Sequence, residues 1–118
     1  MKVFIYDKCD TCRKAVKFLN DRAIKSTFVP IRETPPTVAE LKRMLGYVGD
    51  MKRLFNTSGL DYKSLNMKER LPKLTEAEAL ALLSANGNLV KRPFALTKSG
   101  GTTGFKPDEW ETFIRSDA

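Results

Sequence analysis

Two cysteines, Cys9 and Cys12, stand three positions apart where a short apolar run gives way to a helical pattern. The run at residues 3–6 reads Val-Phe-Ile-Tyr, and such residues favour β-strands. Five small or apolar side chains then share one helical face: Cys12, Ala15, Val16, Leu19 and Ala23. This order predicts a strand, a dithiol turn and an amphipathic helix, with Cys12 facing inward and Cys9 exposed at the helix start.

A dithiol between a strand and a helix is typical of thioredoxin-like redox proteins. The amides and the dipole of the first helical turn favour a thiolate at Cys9, and the cations Lys8 and Arg13 act in the same direction. The carboxylate of Asp10 opposes them. We therefore expect Cys9 to be the attacking thiolate and Cys12 to be its resolving partner. The alternative interpretation is a pair of ordinary cysteines that happen to be close in the sequence.

The composition excludes several kinds of chemistry. The chain has 118 residues, two cysteines and no histidine. A structural zinc site needs four ligands, so we expect no metal. The lack of histidine also removes the Ser-His and Cys-His forms of nucleophilic catalysis. A chain of this length predicts a single domain, residues 1–118, whose core needs no disulfide framework.

The formal net charge is +7, which allows two interpretations. One is a solvated basic surface, and the other is attraction of anionic substrates such as oxyanions or glutathione. The basic residues form short pairs rather than a stripe with interleaved aromatics, so direct nucleic-acid binding is not expected. No leader-like segment and no apolar run of about 18 residues is present, which predicts a cytoplasmic protein without membrane contact. A monomer is the default expectation.

The remaining pattern predicts an α/β fold with a mixed four-stranded sheet. Residues 27–31 form a second strand, which the intervening helix makes parallel to the first. Residues 94–97 and 102–105 form a hairpin. A last helix begins at Pro107, and we expect its Trp110 to lie in the core.

An all-helical insertion is predicted at about residues 37–86. Its first long helix begins at the capping box Thr37-Val38-Ala39-Glu40, and its last begins at Thr75-Glu76-Ala77-Glu78. Asn86-Gly87 is expected to end that last helix as a C-cap. Two short helices are expected between them, at residues 51–55 and 66–71.

Pro93 precedes the predicted hairpin. In thioredoxin-like folds a cis-proline faces the dithiol and holds the substrate chain in place, so Pro93 is a candidate binding residue. An ordinary proline at a sheet edge is the alternative interpretation.

Several motifs together resemble a known family. They are Cys9-x-x-Cys12-Arg13-Lys14, Glu33-Thr34-Pro35-Pro36-Thr37, Leu54-Phe55-Asn56-Thr57-Ser58-Gly59, Lys91-Arg92-Pro93 and Gly104-Phe105-Lys106-Pro107. Over nearly its whole length, the chain resembles the arsenate-reductase-like family that includes ArsC, Spx and YffB. The resemblance implies a thioredoxin-like fold with a helical insertion, a thiolate at Cys9 and an anion pocket. It implies no bound cofactor, with electrons supplied by glutathione, glutaredoxin or thioredoxin.

The motifs also depart from those of the arsenate reductases, in which three arginines bind the oxyanion. Arg92 matches one of the three, whereas Asn56 and Lys106 stand at the positions of the other two. Asparagine lacks the bidentate fork of arginine, and lysine supplies only a point charge. Cys12 replaces a serine, as it does in Spx-like members. Lys8 is a further candidate for holding a negative group.

Two functions follow from the resemblance. The first is a reductase in which Cys9 attacks arsenate or a glutathione-linked disulfide, and Cys12 or glutathione resolves the intermediate. The second is an Spx-like redox sensor that binds the α subunit of RNA polymerase and performs no turnover. One fold hosts both kinds of protein. The motif Leu54-Phe55-Asn56-Thr57-Ser58-Gly59 resembles the enzyme-like branch of the family more than the regulators, so the reductase is the favoured interpretation and the sensor is the alternative.

Overall fold

Four strands form one mixed sheet in the computed structural model, which describes residues 1–116. β1 (Lys2–Ile5) pairs in parallel with β2 (Thr27–Pro30). On its other side β1 pairs antiparallel with β3 (Phe94–Leu96), which pairs antiparallel with β4 (Gly101–Thr103). The strand order β2-β1-β3-β4 confirms the predicted mixed sheet. The predicted domain end at residue 118 lies outside the described residues.

α1 (Asp10–Asp21) connects the two parallel strands and is shorter than its sequence pattern predicts. The prediction that Ala23 extends the buried face is wrong, because Ala23 is exposed and turns the chain with a φ of 54°. That turn returns the chain towards the core, where the Ile24 N–H donates to the Leu19 carbonyl at 3.0 Å. Phe18 is buried on this face, whereas Val16 is only partly buried.

The chain between β2 and β3 is helical. It contains α2 (Val38–Val48), α3 (Leu60–Ser64), α4 (Met67–Arg70) and α5 (Glu76–Ala85), with 3₁₀ turns at Met51–Leu54, Leu71–Lys73 and Gly87–Leu89. Both predicted capping boxes are present, at Thr37 and Thr75. No helix in the described part of the chain is long and apolar enough to cross a membrane.

Of the predicted C-cap pair Asn86-Gly87, Asn86 is the C-cap of α5, whereas Gly87 differs from its predicted role. α5 ends at Ala85, and Gly87 opens the following 3₁₀ turn rather than adopting a left-handed conformation. A Cβ atom at Gly87 would lie 1.9 Å from the Ile31 carbonyl oxygen. Close approach of two backbone segments therefore requires glycine here.

The two faces of the sheet bury side chains in two separate clusters, as the two-residue period of a strand requires. Phe4 and Phe94 pack on the helical insertion. Val3 and Ala95 pack on α1 and on α6 (Pro107–Ser116). Trp110 of α6 is fully buried in this second cluster, which confirms its predicted place.

Candidate functional site

The dithiol lies at the junction of β1 and α1. Cys9 is the N-cap residue of α1, and its Sγ accepts a hydrogen bond from the Cys12 N–H at 3.4 Å. Both thiols are free; Cys9 is partly exposed, whereas Cys12 is only 1% exposed. The predicted asymmetry between an outer and an inner thiol is confirmed.

The surroundings of Cys12 hold it in the thiol form. Burial, the dominant effect, raises the pKa of Cys12 to about 12, and its contact with Cys9 acts in the same direction. The Tyr6 N–H, 3.5 Å from the Cys12 sulfur, lowers the pKa but does not offset the burial. Cys12 is therefore a neutral thiol at physiological pH in the folded protein.

Cys9 lines a cleft of about 970 Å³. Six cationic residues line this cleft against a single carboxylate, that of Glu109; they are Lys8, Lys52, Arg53, Lys91, Arg92 and Lys106. A concave surface with one sign of charge raises the local concentration of ions of the opposite sign. The cleft is thus suited to an anionic ligand next to a thiol.

The structure brings together five of the seven predicted site residues. Those that line the cleft are Lys8, Cys9, Asn56, Arg92 and Lys106. The other two, Cys12 and Pro93, are buried and do not line it. The Arg92-Pro93 peptide bond is cis, and the Pro93 carbonyl accepts the Gly104 N–H at 2.9 Å.

The residues that line the cleft include two groups from different parts of the chain. We call the first group the thiol wall, which consists of Tyr6, Lys8, Cys9 and Thr11. We call the second group the anion wall, which consists of Asn56, Lys91, Arg92 and Lys106.

Arg13, whose charge was expected to favour a thiolate at Cys9, does not line the cleft. Its guanidinium donates to the Asp10 carboxylate and to the Asp7 carbonyl, each at 3.0 Å. Residues at positions i and i+3 of a helix are neighbours on its surface, so Arg13 forms an ion pair with Asp10. Among the two cations predicted to act on Cys9, only Lys8 lines the cleft.

Arg92 makes no ion pair with an acidic residue in the part of the chain that the structure describes. Its Nη1 atom is buried and makes no hydrogen bond with the described residues. Its Cζ atom lies 5.1 Å from the centroid of the Tyr6 ring. A buried N–H donor without a partner destabilises a protein, and donors on charged groups cost the most. Arg92 also lines the cleft, where its positive charge favours an anionic ligand.

Three further cations, Lys52, Arg53 and Lys91, were not predicted as site residues. In the sequence they belong to short basic pairs that are separated by almost forty positions. The Lys91 N–H donates to the Leu54 carbonyl at 2.8 Å, and the Thr103 hydroxyl donates to the Arg53 carbonyl at 2.7 Å. These long-range bonds bring the pairs to one cleft, and no local pattern encodes them.

A mixed sheet whose first strand delivers a dithiol to the start of a helix is a thioredoxin-like fold. The chain belongs to the ArsC family, whose model matches residues 4–113.

Individual relatives carry different names. The uncharacterized protein YusI of Bacillus subtilis is 44% identical over 107 residues, which are 90% of this chain and 91% of YusI. The crystal structure of a possible arsenate reductase from Streptococcus mutans superposes with a TM-score of 0.86 at 32% identity, covering 93% of this chain and 96% of that one. The global transcriptional regulator Spx of the same species is 26% identical, over 98% of this chain and 83% of Spx.

Proposed function

We propose that this protein is a thiol-dependent reductase of small anionic substrates, either arsenate or a glutathione-linked disulfide. The observation that carries the proposal is the position of Cys9, a partly exposed thiol in a cleft that six cationic residues line, Arg92 among them. We also propose a cytoplasmic location, because the proposed electron donors, glutathione, glutaredoxin and thioredoxin, keep thiols reduced in that compartment. We propose that the protein acts there as a monomer.

With a glutathione-linked disulfide, the Cys9 thiolate attacks one sulfur of the substrate. A new disulfide forms between Cys9 and glutathione, and the other thiol leaves and takes up a proton. Cys12 or a second glutathione then attacks the Cys9 disulfide and releases glutathione. The substrate gains two electrons, and the two thiols that supplied them end as a disulfide.

With arsenate, the Cys9 sulfur bonds to arsenic and displaces one oxygen as water. Reduction of As(V) to As(III) takes two electrons. Cys9 and a second thiol, from glutathione or Cys12, supply them and end as a disulfide. The product is arsenite, together with a disulfide that glutaredoxin or thioredoxin reduces.

The other cleft residues have binding roles in this proposal. Arg92 and Lys106 neutralise the negative group, and Lys8 supports them from the residue before Cys9. Asn56 donates or accepts a single hydrogen bond, and Pro93 shapes the backbone that carries Arg92. An arginine at one position and weaker donors at two others favour a ligand that needs a single bidentate contact.

The test is a coupled assay with arsenate and with a glutathione-linked disulfide, run once with glutathione plus glutaredoxin and once with thioredoxin. We expect turnover of at least one substrate by the wild type and none by Cys9→Ser. Cys12→Ser is the matched thiol variant, and it keeps activity when glutathione is supplied. Full activity of Cys9→Ser would overturn the proposal.

The second candidate function is a redox-sensing partner of the RNA polymerase α subunit. It is favoured by the two-cysteine motif, in which Cys9 and Cys12 are already in contact, and by the similarity to Spx. Here oxidation of the dithiol changes the binding surface without turnover. A binding assay with purified α subunit, using oxidised and reduced protein, tests this role, and equal absence of binding in both states would exclude it.

A further inference from the structure

Tyr6 lies at the end of β1 and contacts two arginines. The Arg32 Nη1 atom donates to the Tyr6 hydroxyl at 3.0 Å, and the Arg32 Cζ atom lies 5.0 Å from the ring centroid. The Arg92 Cζ atom lies 5.1 Å from the same centroid. Guanidinium groups at this distance from an aromatic ring are attracted by its quadrupole. One aromatic side chain is therefore a shared neighbour of two positive charges.

The nature of this neighbour matters for Arg92. None of the ion pairs among the described residues includes Arg92. A carboxylate partner would fix the guanidinium but would also cancel its charge and occupy its N–H donors. An aromatic ring attracts the guanidinium without neutralising its charge, so the charge remains available to a ligand.

Tyr6 also connects this arginine with the dithiol. The Tyr6 carbonyl accepts the Cys9 N–H at 3.1 Å, and the Tyr6 N–H donates to the Cys12 sulfur at 3.5 Å. The backbone of Tyr6 thus contacts both cysteines, while its ring contacts Arg92, a cation that lines the cleft.

We propose that Tyr6 is a positioning residue that holds Arg92 in the cleft that Cys9 also lines, as an anion receptor whose charge no ion pair among the described residues neutralises. The ring carries this role, and Arg32 fixes the ring through the hydroxyl. The inference rests on the proposed function in one respect, since it assumes that an anion reacts with Cys9 in the cleft.

The test compares the alkylation of Cys9 by anionic iodoacetate and by neutral iodoacetamide. In both reactions the thiolate sulfur bonds to carbon and iodide leaves, so the ratio of the two rate constants reports only the charge around Cys9. Peptide mass spectrometry assigns the modified cysteine. This ratio requires no turnover and no knowledge of the natural substrate.

We expect Arg92→Gln to lower the iodoacetate-to-iodoacetamide ratio by roughly fivefold, the size expected for one close charge pair in water. Tyr6→Leu, which removes the ring, lowers the ratio by a similar factor although Arg92 is still present. Tyr6→Phe keeps the ring and restores most of the wild-type ratio. Arg32→Gln removes the same hydrogen bond as Tyr6→Phe, so we expect its effect on the ratio to be similarly small.

An unchanged ratio in Tyr6→Leu would overturn the inference, and so would an equal loss in Tyr6→Leu and Tyr6→Phe. A wild-type ratio equal to that of Arg92→Gln would also overturn it. If Tyr6→Leu fails to fold, the NMR shifts of the wild-type Arg92 side chain decide. We expect an upfield ring-current shift that Tyr6→Phe retains, and its absence in the wild type would contradict the role.

The two proposals fail in different ways. If the wild type turns over neither substrate but its alkylation ratio follows the expected order, the reductase is excluded and the role of Tyr6 remains. If turnover is present and the ratio ignores the ring, the role of Tyr6 is excluded and the reductase remains.

Discussion

The thiol wall and the anion wall of the cleft are built in different ways. The thiol wall comes from one continuous segment, in which Cys9 caps α1 and its neighbours follow the end of β1. The anion wall comes from three segments of the chain that are brought together only by tertiary contacts. One of these contacts is the isolated β-bridge between Phe55 and Val90. The proposed nucleophile is thus positioned by local structure, whereas the groups proposed to bind its ligand depend on long-range packing. Single substitutions can change that selection without disturbing the thiol.

The largest effect on the anion wall is expected from Arg92→Gln. Hydrogen bonds to charged groups contribute about 1.5–3 kcal/mol, so the KM for an anionic substrate should rise by roughly 10-fold to 100-fold. The kcat should change less, because Cys9 is unaffected. Steady-state kinetics measure both constants. Arg115→Gln, an exposed position on α6, is the matched control. An unchanged KM in Arg92→Gln would remove Arg92 from the binding site.

A double substitution, Asn56→Arg with Lys106→Arg, should separate the two proposed substrates. It restores two bidentate donors, so we expect a KM for arsenate lower by roughly tenfold. A glutathione-linked disulfide should gain less, because its carboxylates lie several bonds away from the reacting sulfur. Asn56→Gln with Lys106→Gln is the control that adds no guanidinium. Equal gains on both substrates would contradict this specificity argument.

The buried thiol predicts a loss of stability at alkaline pH. The folded-state pKa of Cys12, about 12, lies above its ordinary value of 9.0. Above about pH 9 the unfolded chain loses this proton while the folded chain keeps it, so the free energy of unfolding falls. The slope approaches about 1.4 kcal/mol per pH unit. Urea unfolding of reduced protein at pH 8 and pH 10 measures it.

Cys12→Ala should remove most of this alkaline slope. Cys9→Ser should retain it, since Cys12 stays buried in that variant. A slope that is identical in wild type and Cys12→Ala would show that other groups cause the loss.

The smallest effect is expected far from both walls. The Thr37 hydroxyl accepts the Glu40 N–H at 3.2 Å, and the Glu40 carboxylate accepts the Thr37 N–H at 3.0 Å. Thr37→Ala should cost about 1 kcal/mol of unfolding free energy. Thr37→Ser keeps the cap and should cost less. Turnover by both variants at low temperature should match the wild type, and a selective loss in Thr37→Ala would link the insertion to catalysis.

Local patterns predicted much of the fold. The strand before Cys9, the capping boxes at Thr37 and Thr75 and the final helix all depend on neighbours within a few positions. α3 was missed because it is one short turn with no capping side chain. The role of Gly87 was missed because its constraint is the carbonyl of Ile31, a residue far away in the sequence.

The candidate site follows the same division. Cys9 and Cys12 were predicted from their spacing, and Arg92 from a family resemblance. Tyr6 was predicted only as part of a strand, because its contacts with Arg32 and Arg92 arise from separate segments. Residue type and spacing identify a nucleophile, but they do not identify the side chain that positions its partner.

The central position of β1 in the sheet also sets an order of events during synthesis. A ribosome releases the dithiol and β2 long before Phe94–Leu96, so one edge of β1 has no partner until the second half of the chain emerges. Trp110, whose Nε1–H donates to the Gly104 carbonyl at 2.9 Å, arrives later still. The nascent chain therefore carries both thiols before the residues that complete the cleft around Cys9 have been synthesised. Both thiols are thus exposed to the surrounding redox environment before the fold is complete, so translation is itself a period of redox exposure for this chain.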